Sequence, residues 1–108
     1  MDEALKGRIQ GLVDGSPVVL FMKGTKTFPQ CGFSHRAVEI LKRSGAGEFL
    51  TVNVLEDPDI RQGIKEFANW PTIPQLYLKG KFIGGSDILM EMYESGELQP
   101  LVAEAVGA

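Results

Sequence analysis

Five consecutive apolar residues, Val18-Val19-Leu20-Phe21-Met22, form the longest uninterrupted hydrophobic run in the chain and constrain its fold most. The run is far short of the ~20 residues a membrane span requires, so it reads as a buried strand. Before it, Leu5, Ile9, Leu12 and Val13 recur at helical spacing over residues 4–13, with Asp2 and Glu3 complementing the helix N-terminus and Gly15 ending the helix. After it, Gly24 to Gln30 has the composition of a loop. The helical period returns from Gly32, with Phe33, Ala37, Ile40 and Leu41 on one face, Lys42 and Arg43 in the last turn and Gly45 as the stop. Leu50, Val52 and Val54 then alternate with Thr51 and Asn53, a second strand that the intervening helix places parallel to the first in a right-handed crossover.

Asp57-Pro58 supplies an N-cap and an N1 proline for a third helix whose Ile60, Ile64, Phe67 and Ala68 face inward, and Trp70-Pro71-Thr72-Ile73-Pro74 stops it. Gln75–Lys79 and Lys81–Ile83 flank Gly80 as a hairpin ended by Gly84-Gly85. Ser86-Asp87 is expected to cap a fourth helix carrying Ile88, Leu89, Met92 and Tyr93, and a short last helix gathers Leu98, Leu101, Val102 and Ala105. This order describes an α/β chain with a four-stranded mixed sheet and helices on both faces, a thioredoxin-like fold. No repeat or linker interrupts it, so residues 1–108 are expected to form a single domain, long enough to bury one core without disulfide or metal staples.

Charged residues make up 23% and hydrophobic residues 44% of the chain, a globular balance that argues against disorder and fibrous folds. A net charge of −3 argues against nucleic acid as the main partner. The acidic Met1-Asp2-Glu3 start resembles neither a signal peptide nor a transit peptide, and no membrane association is expected. With Cys31 as its one cysteine, the chain can form no internal disulfide and suits a reducing compartment.

Cys31 falls where the first strand has ended and a helix begins, the crevice at the carboxyl ends of α/β strands where ligands bind. A free cysteine is most often a small buried hydrophobe, but the neighbours of this one argue for chemistry. A helix N-terminus favours the thiolate. No Asp or Glu occurs between Asp14 and Glu39, whereas Lys23, Lys26 and Arg36 do, and Gly32 leaves the backbone beside the sulfur uncovered. Cys31 is therefore read as a reactive or ligating thiolate. His35 could face it four residues on, yet zinc wants four ligands and the chain has no further Cys or His, so His35 reads as a solvated helix residue. Trp70, beside Pro71 at a helix end, reads as a core wedge, and the four methionines as core filler.

Cys31-Gly32-Phe33-Ser34, preceded by Phe21-Met22-Lys23-Gly24-Thr25 and Pro29-Gln30 and followed by Asn69-Trp70-Pro71-Thr72-Ile73-Pro74-Gln75 and Gly84-Gly85-Ser86-Asp87, resembles the CGFS class of monothiol glutaredoxins. The resemblance spans almost the whole chain in the right order. It implies a thioredoxin fold, glutathione as ligand, and a [2Fe-2S] cluster held between two subunits for delivery to apo iron-sulfur proteins. It also implies that Lys23 and Arg61 contact the glycyl carboxylate of glutathione with Lys65 nearby. Ile73 pairs its backbone with the cysteinyl part, ahead of a cis Pro74 and beside the Thr72 hydroxyl. Gly85, Ser86 and Asp87 receive the γ-glutamyl end, with helix amides on its carboxylate and Asp87 on its ammonium. Phe33 borders the site through its backbone, its ring packing inside or against a second copy.

A [2Fe-2S] cluster generally takes four thiolates and one chain supplies one, so two copies and two glutathiones complete the set. A homodimer with the cluster and a monomer without it are expected. The competing activity is glutathione-dependent reduction of glutathionylated proteins. Ser34 stands where dithiol relatives have a second cysteine, and Ser86 where many relatives of this class have one, so no internal disulfide can serve either purpose. The loop Gly24–Gln30 is a family trait associated with weak classical activity, which ranks cluster transfer above catalysis; efficient enzyme action is not expected. A regulatory role through a BolA-like partner fits the same residues. A bacterial cytoplasm, a mitochondrial matrix and a plastid stroma would all suit such a protein.

Overall fold

The computed structural model describes residues 1–107. Helix α1 (Glu3–Val13) precedes strand β1 (Val18–Met22), α2 (Gly32–Arg43) and β2 (Leu50–Asn53). A single 3-10 turn (Val54–Glu56) leads into α3 (Pro58–Phe67), the hairpin strands β3 (Gln75–Leu78) and β4 (Lys81–Gly84), and then α4 (Ser86–Ser95) and α5 (Leu98–Ala105). The sheet order is β2-β1-β3-β4. β1 runs parallel to β2, with Phe21 opposite Val52, and antiparallel to β3, with Leu20 opposite Leu76. The expected parallel pairing of β1 and β2 and the mixed sheet are therefore present.

All five residues of β1 are buried because the two-residue period of a strand divides them between two layers. Val18, Leu20 and Met22 pack with Val38, Leu41, Leu89, Leu98 and Val102, the layer of α2, α4 and α5. Val19 and Phe21 pack with Ile9, Ile60, Ile64 and Tyr77, the layer of α1 and α3. Each such fully buried side chain contributes roughly 1.5–3 kcal/mol relative to exposure.

Two local expectations are corrected. β2 ends at Asn53, one residue early, because the Asn53 side chain accepts from the Leu55 N–H (3.1 Å) and folds the chain into the 3-10 turn. Leu101 is 39% exposed: α5 buries the stripe Leu98, Val102 and Ala105 and leaves Leu101 at its margin. As expected, the third helix ends ahead of Trp70, through Asn69 in the left-handed region (φ 51), and its half-buried Phe67 and Ala68 pack against the α1–α3 core layer. The hairpin turns through Lys79 (φ 49) and Gly80 (φ 79), the paired positive values of a tight two-residue turn. Met22 is core, Met90 and Met92 pack at its edge, and Met1 is exposed. No helix among the described residues is long and apolar enough to cross a membrane.

Asp57 joins α1 to α3. It caps α3 by accepting from the Ile60 N–H (3.2 Å) and takes the Arg8 guanidinium from α1. The Arg8 hydrogen bond and then the Ile60 amide hold its carboxyl below the usual carboxylate value. A depressed folded-state value means this contribution is present above the unfolded pKa of about 4 and is lost as pH falls through the folded value. In urea melts, the advantage of the native chain over Asp57→Asn, which keeps a capping oxygen but not the charge, should therefore be present at neutral pH and close below about pH 4.

Candidate functional site

β1 delivers the chain to the carboxyl edge of the sheet, where Lys23 and Gly24 have left the strand ladder. Their N–H groups are taken up by side chains: Lys23 donates to Ser34 Oγ (3.0 Å) and Gly24 to Asn53 Oδ1 (2.9 Å). The loop that follows closes on itself. Gln30 N–H donates to Lys23 O (2.9 Å), Thr25 and Phe28 exchange backbone bonds (3.2 Å each), and Gly24 bridges Pro29. Lys26 pins it from outside, its Nζ donating to Phe49 O (2.7 Å) and lying 4.2 Å from the centre of the Phe49 ring, with Glu48 3.9 Å away. What composition marked only as loop is a fixed platform ending at Cys31.

Cys31 is the N-cap residue of α2, extended (φ −155, ψ 139) and half-buried, and its side chain makes no capping bond. Burial pushes its thiol pKa up. The Ser34 and Phe33 amides, the Ser34 hydroxyl and the Lys23 charge together outweigh that, leaving the thiol below its ordinary value. Ser34 is wholly buried and serves Lys23 and Cys31 at once. In Ser34→Ala the midpoint of Cys31 alkylation against pH should therefore rise, and the alkylation rate at pH 7 should fall. His35 is exposed and gives its N–H to Cys31 O (3.0 Å), as expected of a solvated helix residue.

Beside this platform lies a cleft of about 360 Å³. Its walls bring together Lys23, Phe33, Lys65, Thr72, Ile73, Pro74, Gly85, Ser86 and Asp87, nine of the residues singled out in the sequence. Cys31 and Arg61 are not on the walls: Cys31 lies two residues before Phe33, and Arg61 is half-buried one helical turn before Lys65. The Ile73–Pro74 bond is cis, as expected.

Three features differ from expectation. Gly85 is the N-cap of α4, so Ser86 and Asp87 occupy the first helical turn; Ser86 is buried, Asp87 is exposed, and no side-chain bond caps the helix. The Phe33 ring does not pack inside; it is 57% exposed, as Phe28 is at 74% on the other side of Cys31. Trp70 is only half-buried: its ring packs on Phe82 (centroids 5.5 Å) and also borders the cleft. Pro71 and Ile88 complete the lining without having been singled out, although each adjoins a residue that was. The Ser86 hydroxyl and the Trp70 indole N–H are buried and have no hydrogen-bond partner.

The cleft thus offers cations from the end of β1 and from α3, and an acid and helix amides from α4, a division that suits a ligand with both anionic and cationic ends. Among the described residues no three His, Cys, Asp or Glu side chains converge as metal ligands, so any metal bound at Cys31 needs ligands from other molecules.

A family model described as Glutaredoxin matches residues 18–83. A Synechocystis protein named an uncharacterized monothiol glutaredoxin ycf64-like is 53% identical over 108 residues, covering 100% of this chain and of that protein. Monothiol glutaredoxin-5, mitochondrial, of Saccharomyces cerevisiae is 50% identical over 103 residues, covering 94% of this chain and 69% of that one. Among solved structures, reduced poplar apo GrxS14 superposes with a TM-score of 0.83 at 53% identity, covering 96% of this chain and 94% of that one. A buckwheat glutaredoxin–glutathione complex gives 0.82 at 27% identity, covering 95% and 91%.

Proposed function

The chain belongs to the glutaredoxin family, with monothiol glutaredoxins among its close relatives, and from that premise we propose that it binds glutathione in the cleft beside Cys31 and, with a second copy, carries a [2Fe-2S] cluster to apo iron-sulfur proteins. The observation that carries this reading is one half-exposed thiol, held below its ordinary pKa, at the edge of a cleft with cations on one side and an acid and helix amides on another. The buckwheat relative is solved as a glutathione complex, which supports the choice of ligand.

In this reading Lys23 and Lys65, with Arg61 behind them, receive the glycyl carboxylate. The Ile73 backbone, ahead of Pro74, pairs with the cysteinyl unit beside Thr72. The amides at the start of α4 and the Asp87 carboxylate receive the two charges of the γ-glutamyl end. The unpartnered Ser86 hydroxyl on that wall is a group a polar ligand satisfies. The cluster is cargo: this chain contributes one thiolate, and the other three come from a second Cys31 and two glutathiones. Lys23 and the amides that favour the Cys31 thiolate also offset the charge of that ligand set.

Anaerobic reconstitution with iron and sulfide, with and without glutathione, tests the reading by visible spectrum and sizing of the same sample. A coloured dimer formed only with glutathione supports it; a colourless monomer in both tubes sinks it. Lys23→Ala should raise the glutathione concentration needed for half-assembly without abolishing the cluster, since it removes a contact and not a ligand.

The half-buried thiol, its pKa held low, also favours a second reading, reduction of glutathionylated proteins. The Cys31 thiolate attacks the glutathione sulfur of the protein–glutathione disulfide, and the protein leaves as its thiolate. A second glutathione thiolate then attacks the Cys31–glutathione disulfide, releasing oxidised glutathione and restoring Cys31. Steady turnover on a glutathionylated peptide by the apo monomer would put this reading first. Either role requires a reducing compartment; the yeast relative is named mitochondrial and the Synechocystis relative is cyanobacterial.

A further inference from the structure

Behind the cleft, a single carboxamide ties down part of its wall. Gln75, the first residue of β3, is 0% exposed. Its Nε2 donates to Trp70 O (3.1 Å) and to Thr72 O (3.2 Å), and its Oε1 accepts from the Tyr77 hydroxyl (3.2 Å). Only this orientation of the amide works, because the reverse would aim an oxygen at two carbonyls. Tyr77 is 1% exposed, with Phe21, Phe67 and Phe82 packed around its ring at 5.6, 6.2 and 5.5 Å. Burial pushes its phenol pKa up to about 12, so the hydroxyl remains a donor through the neutral range.

The segment that Gln75 grips leaves α3 through Asn69 in the left-handed region and ends in the cis Ile73–Pro74 bond. Trp70 N–H donating to Lys65 O (2.9 Å) links it to α3, and Phe82 supports the Trp70 ring. Its two carbonyls would otherwise have no donor from the sheet. An apolar residue at position 75 would fill the core without the cost of burying a carboxamide, so packing alone does not account for glutamine there. Resting on the glutathione reading above, we infer that Gln75, oriented by Tyr77, is a positioning residue that fixes the ligand-facing backbone of Trp70 to Ile73 and thereby sets glutathione affinity.

Trp70 is the only tryptophan in the chain, so its emission reports directly on this segment. The test compares Gln75→Met, Tyr77→Phe and the native chain by Trp70 emission, acrylamide quenching and titration with reduced glutathione. Gly63→Ala serves as a control: Gly63 is not on the cleft wall, and its added Cβ meets Ile9 Cδ1 at 2.8 Å and Leu5 Cδ2 at 3.1 Å, where α3 faces α1. Gln75→Met should stay folded, red-shift the emission, increase quenching and raise the glutathione Kd by about tenfold. Tyr77→Phe should move all three in the same direction by a smaller factor. Gly63→Ala should move none of them, whatever it does to the Tm.

Folded Gln75→Met with native emission, quenching and affinity overturns the inference, as does a Gly63→Ala control that moves the same readouts. Should Gln75→Met not fold, Tyr77→Phe with native values overturns it. A native chain that binds no glutathione, in the presence of a clear Trp70 shift in Gln75→Met, removes the ligand reading and the affinity role while leaving the positioning of the segment supported.

Discussion

Cys31→Ser should yield a colourless protein when reconstituted anaerobically with iron, sulfide and glutathione, while its far-UV spectrum and melting behaviour stay native. The two halves of that expectation have separate causes. Serine is among the preferred helix N-caps, and the cysteine it replaces makes no capping bond, so α2 has nothing to lose. A serine hydroxyl, however, remains protonated at neutral pH and is a poor substitute for a thiolate toward iron. With no converging set of His, Cys, Asp or Glu among the described residues, the chain has no second anchor to fall back on. Loss should therefore be complete rather than graded, read as absence of visible absorbance and of the dimer in sizing. A serine variant that still bound the chromophore would mean that iron is held elsewhere and would end the shared-thiolate reading.

The contrast between what the sequence makes legible and what it conceals follows the range of the forces involved. Val18 to Met22, the amphipathic periods of α2 and α3 and the alternation of β2 are local patterns, and the sheet with helices on both faces follows from them. The extent of β2, the cap of α4 and the shape of the loop before Cys31 depend on particular side-chain bonds. Asn53 is the clearest case: one carboxamide oxygen accepts from Leu55, two residues away, and from Gly24, across 29 positions. Nothing in the spacing of Asn53 announces the second bond. Gln75 was visible only as part of a motif; its hold on the Trp70–Thr72 carbonyls appears once β3 turns it inward. Of the two placements open for the Phe33 ring, the inward one is not taken, a choice that helical periodicity alone cannot make. Most of the cleft wall was nevertheless legible, because its residues come in short contiguous motifs at the carboxyl edge of the sheet, where topology concentrates ligand-binding loops.

Gly24→Ala should be the most damaging of the single-methyl additions near the thiol, and Gly32→Ala among the mildest, although the two glycines lie only eight positions apart. Gly24 has φ +94, and a Cβ placed there would come 2.5 Å from both Gln30 N and Phe28 O. Both are backbone atoms, so no rotamer change relieves the overlap; the loop itself has to open. Opening it breaks the Gln30–Lys23 bond and the Gly24–Asn53 bond that fix the approach to Cys31. Together with the cost of a left-handed alanine, the loss should reach roughly 2–4 kcal/mol in urea unfolding. Gly32 has open space where its Cβ would go and no positive φ, so Gly32→Ala should stay within about 0.5 kcal/mol of the native chain. The same displacement loosens Lys23 from Ser34 and the thiol. Lys23 is the weakest of the influences that lower the Cys31 pKa, so in Gly24→Ala the alkylation midpoint should rise only slightly, measured where the variant is still folded. If stability stayed native, the loop would not be what fixes the approach to Cys31, because the overlap of the added methyl with Gln30 N and Phe28 O cannot be relieved while the loop stays closed.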